Sequence, residues 1–369
     1  MVAYGYLTLR TPADWGIALL CLAMLVSVYT SPILDKTIPQ IWRVISGIAL
    51  FYAIVNWGNT HNRIRLMFTG FSAAGLGLAL IAPVSVVWGF DKVTFIPEYL
   101  YKNFTLLVSD SANPSVMAGS LVLLLPFPLS MLLFRWRKIN NYERFLSAAA
   151  FILMIVIIIL TRARGTWVAS AAGLFTILAL FDHRFWVVFF LCALAGLALI
   201  IFSGSNRILE VLLYSNTTGG LEGRLEIWSR ALALVHDFPY TGVGMGNFLE
   251  AAEGFYAYDQ YTSGYIPHAH NLFMQVSVDL GIPGLVAWLS VLLGMLYLSW
   301  RTFRYGKQKS GGLYLSTGAA LLASQVALIT NGLTDSVVWG MVRPAPLVWI
   351  IWGFGAAVGC YSAYQKMKH

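Results

Sequence analysis

Charge is what this sequence has least of. Only 11% of its 369 residues are Asp, Glu, Lys or Arg, while 58% are hydrophobic. Soluble domains carry about 25% charged residues. So little charge cannot cover the apolar surface of a water-soluble chain of this length, which makes lipid the natural solvent. Acidic residues are scarcer still, 16 against 24 Lys and Arg, for a net charge of +8. That excess does not indicate nucleic acid. The basic residues sit in short clusters between apolar runs, as the positive-inside rule expects. Cysteine is nearly absent. Cys21, Cys192 and Cys360 each lie inside an apolar run, with neither metal-ligand spacing nor a paired framework. They read as packing side chains. There is no internal repeat, no low-complexity tract and no cleavable signal pattern. The first apolar stretch, Trp15 to Tyr29, is expected to remain as a span.

What is present is a series of apolar runs. A span needs roughly 20 apolar residues. Spans are expected near 14–31, 41–57, 66–88, 114–134, 145–161, 166–181, 185–202, 271–300, 313–331 and 345–363. The second is short; the eighth is long enough to tilt or to begin outside the hydrocarbon. The fold class is therefore all-α, an integral membrane protein of about ten helices. It forms one domain over 1–369, with a polar loop, 203–270, inserted between the seventh and eighth spans. With ten spans, the basic clusters at Arg63/Arg65, Arg135/Arg137/Lys138/Arg144, Arg301/Arg304/Lys307/Lys309 and Lys366/Lys368 all fall on one side. The charge rule makes that side the cytoplasm. The outer face then receives 32–40, 89–113, 162–165, 203–270 and 332–344.

The long outer loop divides in three. Residues 204–220 read as irregular. Over 221–237, Leu221, Leu225, Trp228, Leu232 and Val235 recur at helical spacing, and Pro239 ends the helix. A glycine-rich stretch, Thr241 to Phe248, follows. Then come Phe255, Tyr256, Tyr258, Tyr261 and Tyr265, aromatics suited to a membrane interface or to stacking on sugar rings.

Several outer-face residues are not explained by orientation. Arg162 and Arg164 lie in TRARGTW, a turn between two apolar runs. Ionisable groups at membrane depth are functional candidates, and arginine grips phosphate with a planar fork. Alternatively, Arg162 snorkels to lipid headgroups. Arg224, in GRLEIW, taken alone reads as a solvated helix residue paired with Glu226 or Glu222, and Arg230 as one more exposed helix residue. His268 and His270, in PHAHN, can move a proton near neutral pH. No third ligand at metal spacing accompanies them, so no metal is expected. Asp335, in NGLTDS, can orient a histidine, pair with an arginine, or simply occupy a turn. GVGMGN lacks the GK[ST] ending of a phosphate-binding loop. Its Gly244 and Gly246 either offer N–H groups to an anion or make a plain tight turn.

Five of these signals occur in one order: RGTW, GRLEIW, P..GVGMGNF, HAHN and GIPG. His270-Asn271 is followed by nine residues, 272–280, and then by Gly281-Ile282-Pro283-Gly284. That order resembles the O-antigen ligase and polymerase family of bacterial membrane glycosyltransferases, and H-N-x9-G-x-x-G is closest to the ligase signature. The resemblance spans about Arg162 to Asp335. It implies an all-helical, GT-C-like fold in the bacterial inner membrane, with the active site on the periplasmic face. It implies transfer of a saccharide from undecaprenyl diphosphate to an acceptor hydroxyl, such as lipid A core or another glycan, without metal or cofactor. It implies that His270 is the catalytic base and that Arg164 and Arg224 are the essential arginines, with Asp335 matching a late acidic residue. Arg162, His268, Asn271, Gly244 and Gly246 join Asp335 as candidate substrate contacts. The expected partners are the lipid-linked donor, the acceptor and membrane lipid, not nucleic acid. A polymerase is the near alternative. A transporter is the distant one, set aside because it would bury charges mid-span and carry broken, repeat-related helices, and the sequence shows neither.

Overall fold

The computed structural model describes residues 8–88, 99, 104, 112–202, 221–256, 268–309 and 312–367. The irregular stretch expected at 204–220 lies outside the described residues. So do Tyr258, Tyr261, Tyr265 and Lys368, and the side chains of Cys192, Leu221 and Glu222. Among the described residues the chain is all α-helix apart from one isolated bridge, Val86 to Ala112. The helices are α1 (Asp14–Thr30), α2 (Leu34–Trp57), α3 (His61–Ser85), α4 (Pro114–Leu124), α5 (Pro126–Arg135), α6 (Asn141–Leu160), α7 (Arg164–Phe181) and α8 (Phe185–Phe202). They continue with α9 (Leu221–Asp237), α10 (Phe248–Phe255), α11 (Leu272–Gln308), α12 (Gly312–Gly332) and α13 (Pro346–Met367). Among the described residues seven helical segments are long and apolar enough to cross a membrane, counting α4 and α5 as one. Asp14–Thr30 and Pro346–Ser362 are shorter apolar helices. The protein is an all-α integral membrane protein.

Three spans differ from expectation. The second begins at Leu34, not 41, and so takes in Lys36, Thr37, Pro39 and Gln40. Two of its polar residues find partners: Lys36 pairs with Glu250, and the Thr37 hydroxyl donates to the Met245 carbonyl at 2.8 Å. The fourth breaks between Leu124 and Pro126, because proline has no N–H to continue the ladder. The eighth is 37 residues long and is broken at Gly281.

α11 runs through the centre, packed on α12, α1 and α13, while α7 and α5 flank α12. Four tryptophans, Trp288, Trp339, Trp349 and Trp352, are fully buried in this core. Polar groups join helices inside it. The Ser324 hydroxyl donates to the Leu123 carbonyl at 2.8 Å, and the Gln325 amide donates to Ser299 Oγ at 2.8 Å. Without water to compete, such bonds and close backbone contact hold membrane helices together. Where α11 meets α12, a Cβ on Gly318 would lie 2.4 Å from the Phe303 nitrogen. Gly318→Ala is expected to cost about 1–3 kcal/mol by overpacking, read as a lower unfolding midpoint of the purified protein.

At one end of the bundle Arg65 holds Glu143 with a two-pronged contact, Nε to Oε1 at 3.0 Å and Nη2 to Oε2 at 2.9 Å. At the other end sits a smaller core of Ile227, Ala231, Leu234, Val243, Phe248, Ala252, Ala269 and Val278. This cluster seats α9 and α10 on the first part of α11. The face α9 buries is only partly the one the spacing suggests. Trp228 and Val235 pack against this cluster beside the buried Ile227, Ala231 and Leu234, whereas Leu225 and Leu232 are exposed. Both faces of this helix carry apolar residues, so periodicity alone could not choose between them.

Candidate active site

The site forms where four segments meet: the turn entering α7, the first turn of α9, the turn 268–271 before α11, and residues 333–339 after α12. RGTW docks α7 against the last of these. A Cβ on Gly165 would lie 2.1 Å from Thr334 Oγ1, so only glycine lets the helix approach so closely. The Thr166 hydroxyl donates to Asn331 Oδ1 at 3.0 Å, and the Trp167 indole donates to the Ile158 carbonyl at 2.9 Å. Arg164 is thereby the exposed first residue of α7, beside the loop that carries Asp335.

Arg224 reaches the same place from α9. Burial disfavours the charge of its guanidinium, Asp335 favours it and Arg164 disfavours it again. Arg224 thus lies within electrostatic reach of a carboxylate and of a second guanidinium, and two neighbouring cations favour a further anion between them. Glu226 is not the partner of Arg224, as the sequence suggested. It pairs with Arg230, Nη2 to Oε1 at 2.5 Å, one helical turn away, and Arg230 is buried rather than exposed. Arg162 is also buried, only 2% exposed, with a left-handed φ of 55°. That burial overturns the snorkelling alternative, because a snorkelling head must reach the headgroups.

His270 has a left-handed backbone, φ 48°, unusual for a residue with a Cβ. Its Nδ1 lies 3.9 Å from Asp335 Oδ1, and its ring centroid is 4.1 Å from that of His268. The His270 N–H donates to His268 Nδ1 at 3.1 Å, and Nδ1 also contacts Ser336 Oγ at 3.0 Å. With Nδ1 accepting a backbone N–H, neutral His268 must carry its proton on Nε2. Burial lowers the pKa of His268, Asp335 partly opposes this, and Arg224 lowers it further. The unfolded chain then takes up a proton at higher pH than the folded one. His268 therefore stabilises the fold fully above the ordinary imidazole midpoint, and less as pH falls below it. Unfolding midpoints measured against pH are expected to fall less steeply on the acid side in His268→Gln than in the parent.

His268, His270 and Asp335 each offer a ligand atom within 4.8 Å of the others. The third ligand that the sequence lacked is thus supplied by the fold. The histidine hydrogen bonds oppose ligation, however. Binding a metal through His268 Nδ1 would displace the His270 N–H, and binding through Nε2 would need the other tautomer.

Asn271 and the two glycines have architectural tasks. Asn271 caps α11, its Oδ1 accepting from the N–H groups of Phe273 and Met274 at 3.0 and 3.2 Å. Its amide donates to the Leu333 carbonyl at 3.3 Å. Gly244 and Gly246 lie in the tight turn, packed on α1 and α2. Added Cβ atoms would approach Ser31 and Gln40 within 3 Å. The Gly246 N–H donates to Asp279 Oδ1 at 3.2 Å.

Asp279 is the residue that sequence reasoning missed. It is fully buried in α11, two positions before Gly281. This is a carboxylate inside an apolar run, so the expectation that no span buries a charge was wrong. The signal was available: Asp279 is the only acidic residue in 271–300. Gln275, Trp228, Ser336 and Trp339 also contribute. The Trp228 indole donates to the Ala269 carbonyl at 3.1 Å, tying α9 to the two-histidine turn.

Residues 149–289 match a family model described as O-antigen ligase. No curated protein matches the chain. The matched stretch runs from α6 into α11 and contains Arg164, Arg224, His268, His270 and Asp279, with Asp335 beyond it. Over residues 149–289 the chain is thus similar to the O-antigen ligase family.

Proposed function

We propose that the protein transfers a glycan from undecaprenyl diphosphate to an acceptor hydroxyl, such as one on lipid A core, at the outer face of the bacterial inner membrane. The observation that carries this reading is the position of Arg224. It lies within electrostatic reach of both Arg164 and Asp335, and Asp335 is 3.9 Å from His270 Nδ1. A pair of cations thus adjoins a histidine that has a carboxylate behind it. In the reaction the acceptor O–H gives its proton to His270 as its oxygen bonds to the anomeric carbon. The bond from that carbon to the diphosphate breaks, and the electron pair leaves with the diphosphate. Arg164 and Arg224 stabilise that growing charge, the task a divalent metal performs in many sugar-transfer enzymes. Attack from the opposite face inverts the anomeric carbon. Asp335 stabilises the imidazolium that forms on His270. The Nε2–H of His268 offers a donor hydrogen bond to a sugar or phosphate oxygen. The outer face has no nucleotide, so a donor already activated as a diphosphate fits the location.

His270→Ala is expected to lower transfer by about 10²–10⁴-fold in proteoliposomes supplied with undecaprenyl-diphosphate glycan and acceptor. Donor binding should be retained. Wild-type turnover in that variant would remove the base from the scheme. Chelator should leave the parent's rate unchanged; a chelator-sensitive rate would move the chemistry to a metal on His268, His270 and Asp335. Product on lipid A core, rather than a lengthened chain on the carrier lipid, would separate ligase from polymerase.

A further inference from the structure

Three hydrogen bonds converge on the buried carboxylate of Asp279, each from a different part of the site. The Gly246 N–H donates to Oδ1 at 3.2 Å, the Gln275 amide Nε2 donates to Oδ1 at 3.0 Å, and the Trp339 indole donates to Oδ2 at 2.6 Å. All three donors are neutral. Gln275 is itself fully buried, and its Oε1 accepts the Ala269 N–H at 2.8 Å. Ala269 stands between the two histidines. Trp339 ends the segment that carries Asp335 and Ser336, the residues facing His270 and His268.

Because a carboxylate only accepts, Asp279 dictates which way the Gln275 amide points. The NH₂ must face Asp279, which leaves the carbonyl oxygen for Ala269. Reversing the amide would set N–H against N–H between fully buried groups. We propose that Asp279 and Gln275 are positioning residues. Together they lock the histidine turn, with its left-handed His270, onto the Asp335 loop and the glycine turn. This rests on the reading of His270 as the base.

The test is an exchange of charge between the two positions. In Asp279→Asn the amide can accept on one side only, so its NH₂ opposes either Trp339 or the Gln275 and Gly246 donors. Turnover is expected to fall at least about tenfold, a modest share of the general-base effect, with donor binding kept. In Gln275→Glu two carboxylates face one another and need a shared proton. Its rate relative to the parent should rise as pH falls. In the double variant, Glu at 275 accepts from Ala269 and from the new amide at 279, whose oxygen accepts from Trp339. Only the Gly246 N–H loses its partner. Turnover in the double variant should therefore exceed that of Asp279→Asn, which a purely structural lesion at each position would not produce. Wild-type turnover in Asp279→Asn, or a double variant no better than Asp279→Asn, overturns the proposal. His270→Ala in the same assay keeps the two readings apart. An active His270→Ala sinks the base assignment, whereas an inactive one beside a fully active Asp279→Asn sinks only the positioning role.

Discussion

Arg224→Ala is expected to lower transfer by about 10²–10³-fold, the loss of about 3–4 kcal/mol that follows removal of one preorganised charge-stabilising donor. The protein should still insert and fold, because Arg224 lies on α9, outside the bundle, and its side chain belongs to no apolar core. Arg164→Ala should show the same loss, since in the proposed reaction the two guanidiniums act on one leaving group. Their effects should be less than additive in the double variant, as for groups sharing a partner. Lysine should rescue neither fully. A compact ammonium cannot reproduce the planar fork that grips two phosphate oxygens. The measurement is single-turnover transfer in proteoliposomes, with donor affinity determined separately. Parent-like turnover in either alanine variant would remove that arginine from the diphosphate site. A pure affinity loss would mean that the contact is made equally in the ground state and the transition state.

Gly281→Ala is the second large expectation, and it acts through backbone geometry rather than charge. Gly281 has φ 70° and ψ −176°, a region essentially reserved for glycine. A Cβ there would lie 2.7 Å from the Tyr240 carbonyl carbon and 2.8 Å from the Pro239 oxygen. The break also frees the Ile282 N–H, which donates to the Pro239 carbonyl at 2.7 Å. Substitution therefore costs about 1–3 kcal/mol of strain and pushes the outer loop off α11. Transfer should collapse together with stability, seen as a lowered unfolding midpoint and early proteolysis between α9 and α10. Gly284→Ala meets a different obstacle. Its added Cβ would lie 2.2 Å from the Cβ of buried Leu280, an atom the backbone holds in place, so a lowered unfolding midpoint is expected there too, without the left-handed strain of position 281. An alanine at 281 that left both midpoint and activity unchanged would remove the break from the architecture of the site.

The two glycines that end the ligase-like signature thus have different physical reasons. The first allows a helix to stop and restart where the loop docks. The second makes room for the side chain one turn earlier. The histidine that opens the signature lies at the other end of the same helical piece, Leu272 to Leu280. Nine residues is therefore the length of the stub that carries Gln275 and Asp279 between the histidine turn and the break. Shortening or lengthening it would rotate Asp279 away from Gly246 and Trp339.

Much of this was determined by the sequence alone. Long apolar runs separated by basic clusters can be satisfied only by helices crossing lipid, because lipid offers the backbone no hydrogen bonds. The helix over 221–237, ended by Pro239, was readable for a similarly local reason. The order of short motifs also singled out Arg164, Arg224 and His270 as candidates. Tertiary structure decided the rest. Which face α9 buries depended on what it met, since both faces are apolar. The partner of Arg224 could not be read locally, because Glu226 was nearer in sequence but was taken by Arg230. The meeting of His270 with Asp335, 65 positions apart, and of Asp279 with Gly246 and Trp339, are contacts between elements. Burial gives such polar contacts their strength, and burial is a property of the packed chain that no local pattern encodes.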